Sequence, residues 1–321
     1  MVENHPRYCE VVWAARRAGF YVTAINSHVT AGEAWIGCSR SRRCSPPSVR
    51  ERVGNYRASV AADSLDLTGR VAIITGGGTG IGAATARLFA AHGATAVVLA
   101  ARTNEQIEAV AAEIETSSST RALPVPTDVK IEESVVELVE RTVATFGRVD
   151  VLVNNAGGTR MGPLETTPTK AWDSVFALNV RGPFLCTREA GRHMIAQRSG
   201  VIVNVSSGAG VNGVRHGAGY SAAKAALQMF TRVTAGEWGR FGIRANCVAV
   251  GLVASERAVD AWEVAGIDPE LFRQGIPLGR VGEPIDVASS ILFLSSDASS
   301  YVSGETFSVN GGPQIGGPSP D

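Results

Sequence analysis

The stretch Val71-Ala72-Ile73-Ile74-Thr75-Gly76-Gly77-Gly78-Thr79-Gly80-Ile81-Gly82 runs from a short apolar strand into a glycine loop, and residues 83–90 then read as an amphipathic helix. Glycines here allow a tight turn and close backbone approach to a ligand. The helix start beyond them offers unpaired N–H groups and the positive end of a dipole. A glycine cluster alone often just makes a turn. Between a buried strand and a helix it predicts a dinucleotide site, with Gly76, Thr79, Gly80, Ile81 and Gly82 facing the pyrophosphate.

The pattern repeats outward from that loop. Further apolar runs lie at residues 96–99, 149–153, 201–205, 243–248 and 306–309, separated by helix-patterned segments. Near-continuous apolar strands alternating with helices predict a parallel sheet covered on both faces. The expected fold is α/β, a doubly wound Rossmann-type sheet in three α/β/α layers, with ligands at the carboxyl ends of the strands. It is expected to occupy residues 65–321 as a single catalytic domain.

Composition narrows the class. The 321 residues are 45% hydrophobic and include 36 glycines, enough for one sizeable core. Thirty basic and thirty acidic residues cancel, so no global field recruits nucleic acid or an anionic membrane. No apolar run approaches the roughly 20 residues of a membrane span. No charged segment with a secretory apolar core opens the chain, so a cytoplasmic location is expected. The five cysteines, Cys9, Cys38, Cys44, Cys186 and Cys247, form no C-x-x-C pair and suggest neither a disulfide framework nor a metal site.

Residues 1–64 stand apart as an N-terminal extension. Residues 39–47 are a Ser/Arg/Pro/Cys mixture without hydrophobic period and read as loop or disorder. Before them, residues 5–19 look helical and residues 20–28 look like a strand. With residues 29–34, they resemble an internal segment of fatty-acid–CoA ligases over about residues 3–36. No Ser/Thr/Gly-rich ATP-phosphate loop accompanies that resemblance, which implies a ligase-like remnant; an interaction arm is the alternative.

The second strand bears on the cofactor. It ends Val98-Leu99-Ala100-Ala101-Arg102-Thr103. An NAD site usually places an acid about 20 residues beyond the glycine loop to accept the ribose hydroxyls. Here Ala101 holds that place and Arg102 follows. An arginine fork suits a 2′-phosphate that an acid would repel, which favours NADP(H) over NAD(H). A solvated surface arginine is the competing reading.

Tyr220 and Lys224 stand four apart in a segment of helix formers and small residues, so they share one helix face. Ser207 lies thirteen residues before the tyrosine. A cation beside the phenol would lower its usual pKa of about 10 and make it a usable acid or base. A serine and a tyrosine donor together can stabilise charge developing on a carbonyl oxygen. His216 lies in the loop before Tyr220, where a solvated side chain is a stronger reading than a substrate contact.

The glycine loop, Asp128-Val129, Asn154-Asn155-Ala156-Gly157, Asn179, Ser207 and the Tyr220/Lys224 pair occur in the order found in short-chain dehydrogenases/reductases. The chain resembles that family from about residue 65 to residue 313. The resemblance implies that Asp128 bonds the adenine amino group, with Val129 beside it. It implies that Asn155, Ala156 and Gly157 line the cofactor and that Asn179 holds a water of the proton relay. Ser207 would hydrogen-bond the substrate oxygen and Tyr220 would be the acid/base. Lys224 would hold the nicotinamide ribose and lower the tyrosine pKa. The implied reaction is hydride transfer between NADP(H) and the CH–OH or carbonyl carbon of a small substrate. A 3-oxoacyl-thioester reductase is the substrate-level alternative, and a non-catalytic NADP-binding scaffold or sensor is the alternative of another class.

Where the family usually has Pro-Gly after the sixth strand, this chain has Val250-Gly251-Leu252-Val253-Ala254-Ser255. Losing the proline is expected to free the chain slightly. Val253 should still present backbone groups to the nicotinamide carboxamide. Residues 254–276 are expected to form a substrate lid whose Trp262, Val264, Ile267, Leu271 and Phe272 suit an apolar substrate. The family resemblance also implies a homotetramer or homodimer. Phe176, Phe184, Leu227 and Phe230 fit its pairing helices, and core packing explains them equally well.

Overall fold

Strand residues of this protein are apolar in both directions because both sheet faces are covered. The computed structural model describes residues 64–312 apart from 267 and 269. The N-terminal extension with its ligase-like stretch therefore lies outside the described residues. Alternation with period two sends successive side chains into two separate cores. Ala72, Ile74, Val97, Leu99, Val151 and Val153 enter one core, while Ile73, Val98, Ala100, Leu152 and Ile202 enter the other.

In chain order the elements are β1 (Val71–Thr75), α1 (Gly80–Ala91), β2 (Ala96–Ala101), α2 (Asn104–Ser117), β3 (Arg121–Pro126), α3 (Glu132–Phe146) and β4 (Val151–Asn154). There follow α4 (Thr169–Phe176), a π-helical turn (Ala177–Arg181), α5 (Gly182–Gln197), β5 (Gly200–Ser207), α6 (Ala209–Asn212) and α7 (Ala218–Trp238). The rest comprises β6 (Ile243–Val250), α8 (Glu256–Ala265), α9 (Glu270–Arg273), α10 (Pro284–Ser295) and β7 (Thr306–Val309). The sheet is seven-stranded and parallel, in the order β3-β2-β1-β4-β5-β6-β7. This is the doubly wound Rossmann-type fold. Strand order reverses between β1 and β4, which opens a crevice beyond their carboxyl ends.

α1, α2 and α10 cover one face through Phe89, Ile107, Ile114 and Ile291. α3 and α5 cover the other through Leu138, Leu185, Ala190 and Met194. Each large side chain taken out of water in this way contributes roughly 1.5–3 kcal/mol before entropy is counted. Strand β3 is absent from the sequence reading because Pro124 and Pro126 interrupt it. It lies at the sheet edge and pairs only with β2, where missing N–H donors are tolerated.

At Val250, where the missing proline is expected to free the chain slightly, the strand is paired on both sides. Val250 is the last residue of β6 and is held from both sides, in register with Ser207 of β5 and with Val309 of β7. Its carbonyl also accepts from the Gly208 N–H at 2.9 Å.

Candidate active site

Thr75 ends β1 and organises the floor of the crevice. Its hydroxyl donates to the Val153 carbonyl at 3.2 Å and accepts from the N–H groups of Asn155 and Ala156, each at 3.0 Å. The Asn155 amide returns to the carbonyls of Thr75 and Gly76, at 2.9 and 3.2 Å. Thus the glycine loop and the Asn155-Ala156-Gly157 turn are stitched together before any ligand is considered. Gly82 is required by this packing: a Cβ there would fall 2.1 Å from the Gly76 carbonyl oxygen. Gly76 has φ +67°, where L side chains are strained.

Gly80 begins α1, and its N–H is one of the first-turn groups without a partner inside the helix. It donates to Oε2 of Glu256 at 2.9 Å. A carboxylate on this N–H shows that the loop accepts an anion, so the residues present fit a dinucleotide pyrophosphate. Gly78 packs against Gln106 and Ile107 of α2, which brings the loop beside the β2–α2 junction. Exposed Arg102 sits at that junction.

Asp128 lies in the loop after β3. Its side chain accepts from the Lys130 N–H at 3.0 Å and pairs with the Lys130 ammonium at 3.4 Å, while Val129 is buried against α5. Asn179 is fully buried in the π-helical turn between α4 and α5. Its amide donates to the carbonyls of Gly158 and Val175, at 2.8 and 2.9 Å, and its Oδ1 accepts from the Gly158 N–H at 3.3 Å. Single π-turns inside helices recur at functional sites because they break the regular hydrogen-bond ladder. Gly157 lies where Asn179 and Lys224 converge: a Cβ on it would stand 3.0 Å from Asn179 Oδ1 and 3.2 Å from Lys224 Nζ.

Ser207 closes β5, and its hydroxyl accepts from the Ala209 N–H at 3.1 Å and donates to the Val250 carbonyl at 3.4 Å. Tyr220 and Lys224 occupy the first two turns of α7. The Lys224 ammonium lies 5.7 Å from the centre of the Tyr220 ring. Ser206 and Gln228 brace the pair: the Ser206 hydroxyl donates to the Lys224 carbonyl at 2.9 Å, and the Gln228 amide reaches Ser206 Oγ at 3.1 Å and the Ser207 carbonyl at 3.3 Å. Gln228 stands one turn beyond Lys224 on the same helix face, which is the signal that could have found it.

The electrostatics differ from expectation at one point. Burial pushes the Tyr220 phenol up from its ordinary value, and a hydrogen bond with the Ser207 hydroxyl opposes that. The Lys224 cation does not hold the phenol low in this geometry. Burial also pulls Lys224 itself down to about 8, and its Nζ donates to the Val205 carbonyl at 2.8 Å. The physical reason is burial, which disfavours the charged form of both groups.

Of these groups, Ser207 and Tyr220 face a cleft of about 1510 Å³. Val253 lines it as well, as do Trp262, Phe272 and Ile276 of the lid. Trp262 and Phe272 pack with ring centres 5.5 Å apart, so these expected lid residues contact each other. Ile267 lies outside the described residues, as does the side chain of Leu271, while Val264 is almost fully exposed. Val253 forms a parallel bridge with Gly282, made by the Ala254 N–H and the Leu252 carbonyl. This pairing leaves the Val253 N–H on the side away from Gly282. His216 is exposed and lines a separate cavity of about 210 Å³ with Arg160 and Trp172. No helix among the described residues is long and apolar enough to cross a membrane.

Residues 70–264 match the family described as short chain dehydrogenase. A 3-oxoacyl-[acyl-carrier-protein] reductase of Synechocystis sp. is 42% identical, over 77% of this chain and 97% of its own. An NAD-dependent glycerol dehydrogenase of Listeria innocua is 36% identical, over 78% of this chain and 96% of its own. The crystal structure of a short-chain type dehydrogenase/reductase from Mycobacterium marinum superimposes with a TM-score of 0.72 at 32% identity, covering 78% of this chain and 97% of that one. The chain belongs to the short-chain dehydrogenase/reductase family, oxidoreductases that act on alcohol and ketone groups.

Proposed function

We propose that this protein is an NADP(H)-dependent dehydrogenase/reductase acting on the CH–OH or carbonyl carbon of a small, largely apolar substrate. One observation carries the reading: Ser207 and Tyr220 line the large cleft at the carboxyl end of β5, with the buried Lys224 ammonium 5.7 Å from the centre of the Tyr220 ring. When bound, the nicotinamide supplies or takes the hydride. Gly76, Thr79, Gly80, Ile81 and Gly82 hold its pyrophosphate, and Arg102 holds a 2′-phosphate. Asp128 and Val129 take the adenine end, while Asn155, Ala156, Gly157 and the Val253 backbone take the nicotinamide end.

Ser207 and Tyr220 place two hydroxyl donors where negative charge develops on the substrate oxygen, which is worth most in a water-poor site. Tyr220 gives its proton to that oxygen in reduction and takes it back in oxidation. Lys224 orients the ribose hydroxyls and passes protons toward Tyr220. Asn179 fixes the turn that carries the relay. A 3-oxoacyl thioester is the second reading, favoured by the 42% identity to the Synechocystis reductase. Exposed Phe184, Met229 and Val233 on α5 and α7 support assembly into a homodimer or homotetramer.

A substrate panel of ketones, alcohols and 3-oxoacyl thioesters, followed by NADPH absorbance, tests the assignment. Tyr220→Phe should lower turnover roughly 100- to 10,000-fold with NADPH binding intact. Tight NADPH binding with no turnover across the panel would instead favour a scaffold or sensor.

A further inference from the structure

The contact between Gly80 and Glu256 spans 176 residues and joins the glycine loop to the substrate lid. Gly80 opens α1 with φ +53°, and the preceding Thr79 makes no side-chain cap. The first turn of α1 therefore needs an acceptor from elsewhere, and an anion is the most favourable one. The lid supplies it. Glu256 is the first residue of α8, and its carboxylate accepts the Gly80 N–H at 2.9 Å. The fit is close: a Cβ on Gly80 would meet Ser255 Cβ at 3.1 Å and Glu256 Oε2 at 3.5 Å.

The neighbouring charges are consistent with an anion seat. Arg87 of α1 feels the Glu256 carboxylate, and Arg257, the next lid residue, brings its guanidinium to 4.0 Å from the Cβ position of Gly158 on the opposite wall. Two consecutive charged residues of the lid thus approach the glycine loop and the segment after β4. A pyrophosphate on the glycine loop would claim the same Gly80 N–H, and a carboxylate and a phosphate oxygen cannot share one donor without repulsion.

We propose that Glu256 is an internal phosphate mimic, which occupies the Gly80 N–H when no dinucleotide is bound, must leave when one binds, and thereby weakens dinucleotide affinity and eases its release. This rests on the dinucleotide reading of the glycine loop. On leaving, the carboxylate frees the first turn of α8 from α1, so cofactor binding and the position of the lid are linked.

The test compares Glu256→Gln with Glu263→Gln, an exposed glutamate on the same helix, in NADPH and NADH fluorescence titrations of the full chain. Glu256→Gln should bind dinucleotide roughly 3- to 30-fold tighter, the range expected for one anion at a helix N-terminus. Glu263→Gln should bind as the wild type does. Thermal melts give an independent reading. Glu256→Gln should melt below the wild type without cofactor, and the gap should close at saturating NADPH. A cap with a purely structural role would lower both melts equally, and that result overturns the proposal. Unchanged or weaker binding in Glu256→Gln overturns it too, as does equal tightening in Glu263→Gln. If the wild type and the variants all fail to bind NADPH and NADH, the dinucleotide reading falls and the mimic with it. Binding without turnover leaves the mimic standing and removes only the catalytic assignment.

Discussion

The Lys224 ammonium donates to the main-chain carbonyl of Val205 at 2.8 Å, inside the protein and beneath the Tyr220 ring. Burial pulls its pKa down from 10.5 to about 8. In the unfolded chain the same group keeps its proton to about pH 10.4. Between about pH 8 and 10.5 the unfolded state therefore binds more protons, and this residue's contribution to stability rises with pH. Below about pH 8 the fold bears the full cost of the buried charge. Dinucleotide affinity should move the opposite way and fall above about pH 8, because the ribose hydroxyls lose their cation. Burial pushes the Cys186 and Cys247 thiols up to about 12 and about 11, which opposes this trend in the whole protein. The Lys224 contribution is therefore read as the difference in urea stability between the wild type and Lys224→Met, which should move in favour of the wild type from pH 7 to 10.5. The fall in NADPH affinity should appear in the wild type and flatten in Lys224→Met.

Two glycines with opposite surroundings make a paired prediction. A Cβ at Gly82 would lie 2.1 Å from the Gly76 carbonyl oxygen and 2.6 Å from Asn155 Nδ2, both fixed by the Thr75 network. Gly82→Ala should abolish dinucleotide binding or prevent folding. Gly236, exposed within α7, has nothing within 4 Å of its Cβ position. Gly236→Ala should stabilise the fold by about 0.5–1 kcal/mol, since helical glycine carries that penalty. Thermal melts of the two variants should shift in opposite directions.

What the sequence made legible follows from where the information is local. Buried parallel strands announce themselves as unbroken apolar runs, and the Tyr220/Lys224 spacing needs only the helix period. β3 stayed hidden because Pro124 and Pro126 argue against a strand until its edge position is known. Thr75 reads as an ordinary strand residue, and only the fold brings Asn155 and Ala156 onto its hydroxyl. The direction of the Tyr220 shift was missed because spacing reveals a neighbouring charge but not the burial that outweighs it. The Glu256 contact with Gly80 depends on a lid folding back across most of the chain, which no local pattern encodes.

The proposed preference for NADP(H) rests on Arg102, which is exposed at the junction of β2 and α2 beside the glycine loop. A guanidinium bonded to a 2′-phosphate contributes about 1.5–3 kcal/mol as a charge-assisted hydrogen bond. Arg102→Ala should reduce the preference for NADPH over NADH roughly 10- to 100-fold, mainly by weakening NADPH. Fluorescence titration with both dinucleotides measures the ratio. An unchanged ratio would remove Arg102 from the specificity argument and open the NAD(H) use named for the Listeria relative.

Thr75 offers the sharpest separation of framework from chemistry, because it holds the Asn155-Ala156 turn while its own side chain is buried. Thr75→Val keeps the shape but leaves the N–H groups of Asn155 and Ala156 without the oxygen they share. Unsatisfied buried donors cost about 1–3 kcal/mol. For a domain of this size that cost corresponds to a fall in Tm of about 2–4 °C per kcal/mol. The turn would relax toward the crevice, so NADPH affinity should also fall. Thr75→Ser, which keeps the hydroxyl, should restore most of both. If Thr75→Val matches the wild type in melting and in NADPH titration, the hydroxyl does not hold the Asn155-Ala156 turn in place.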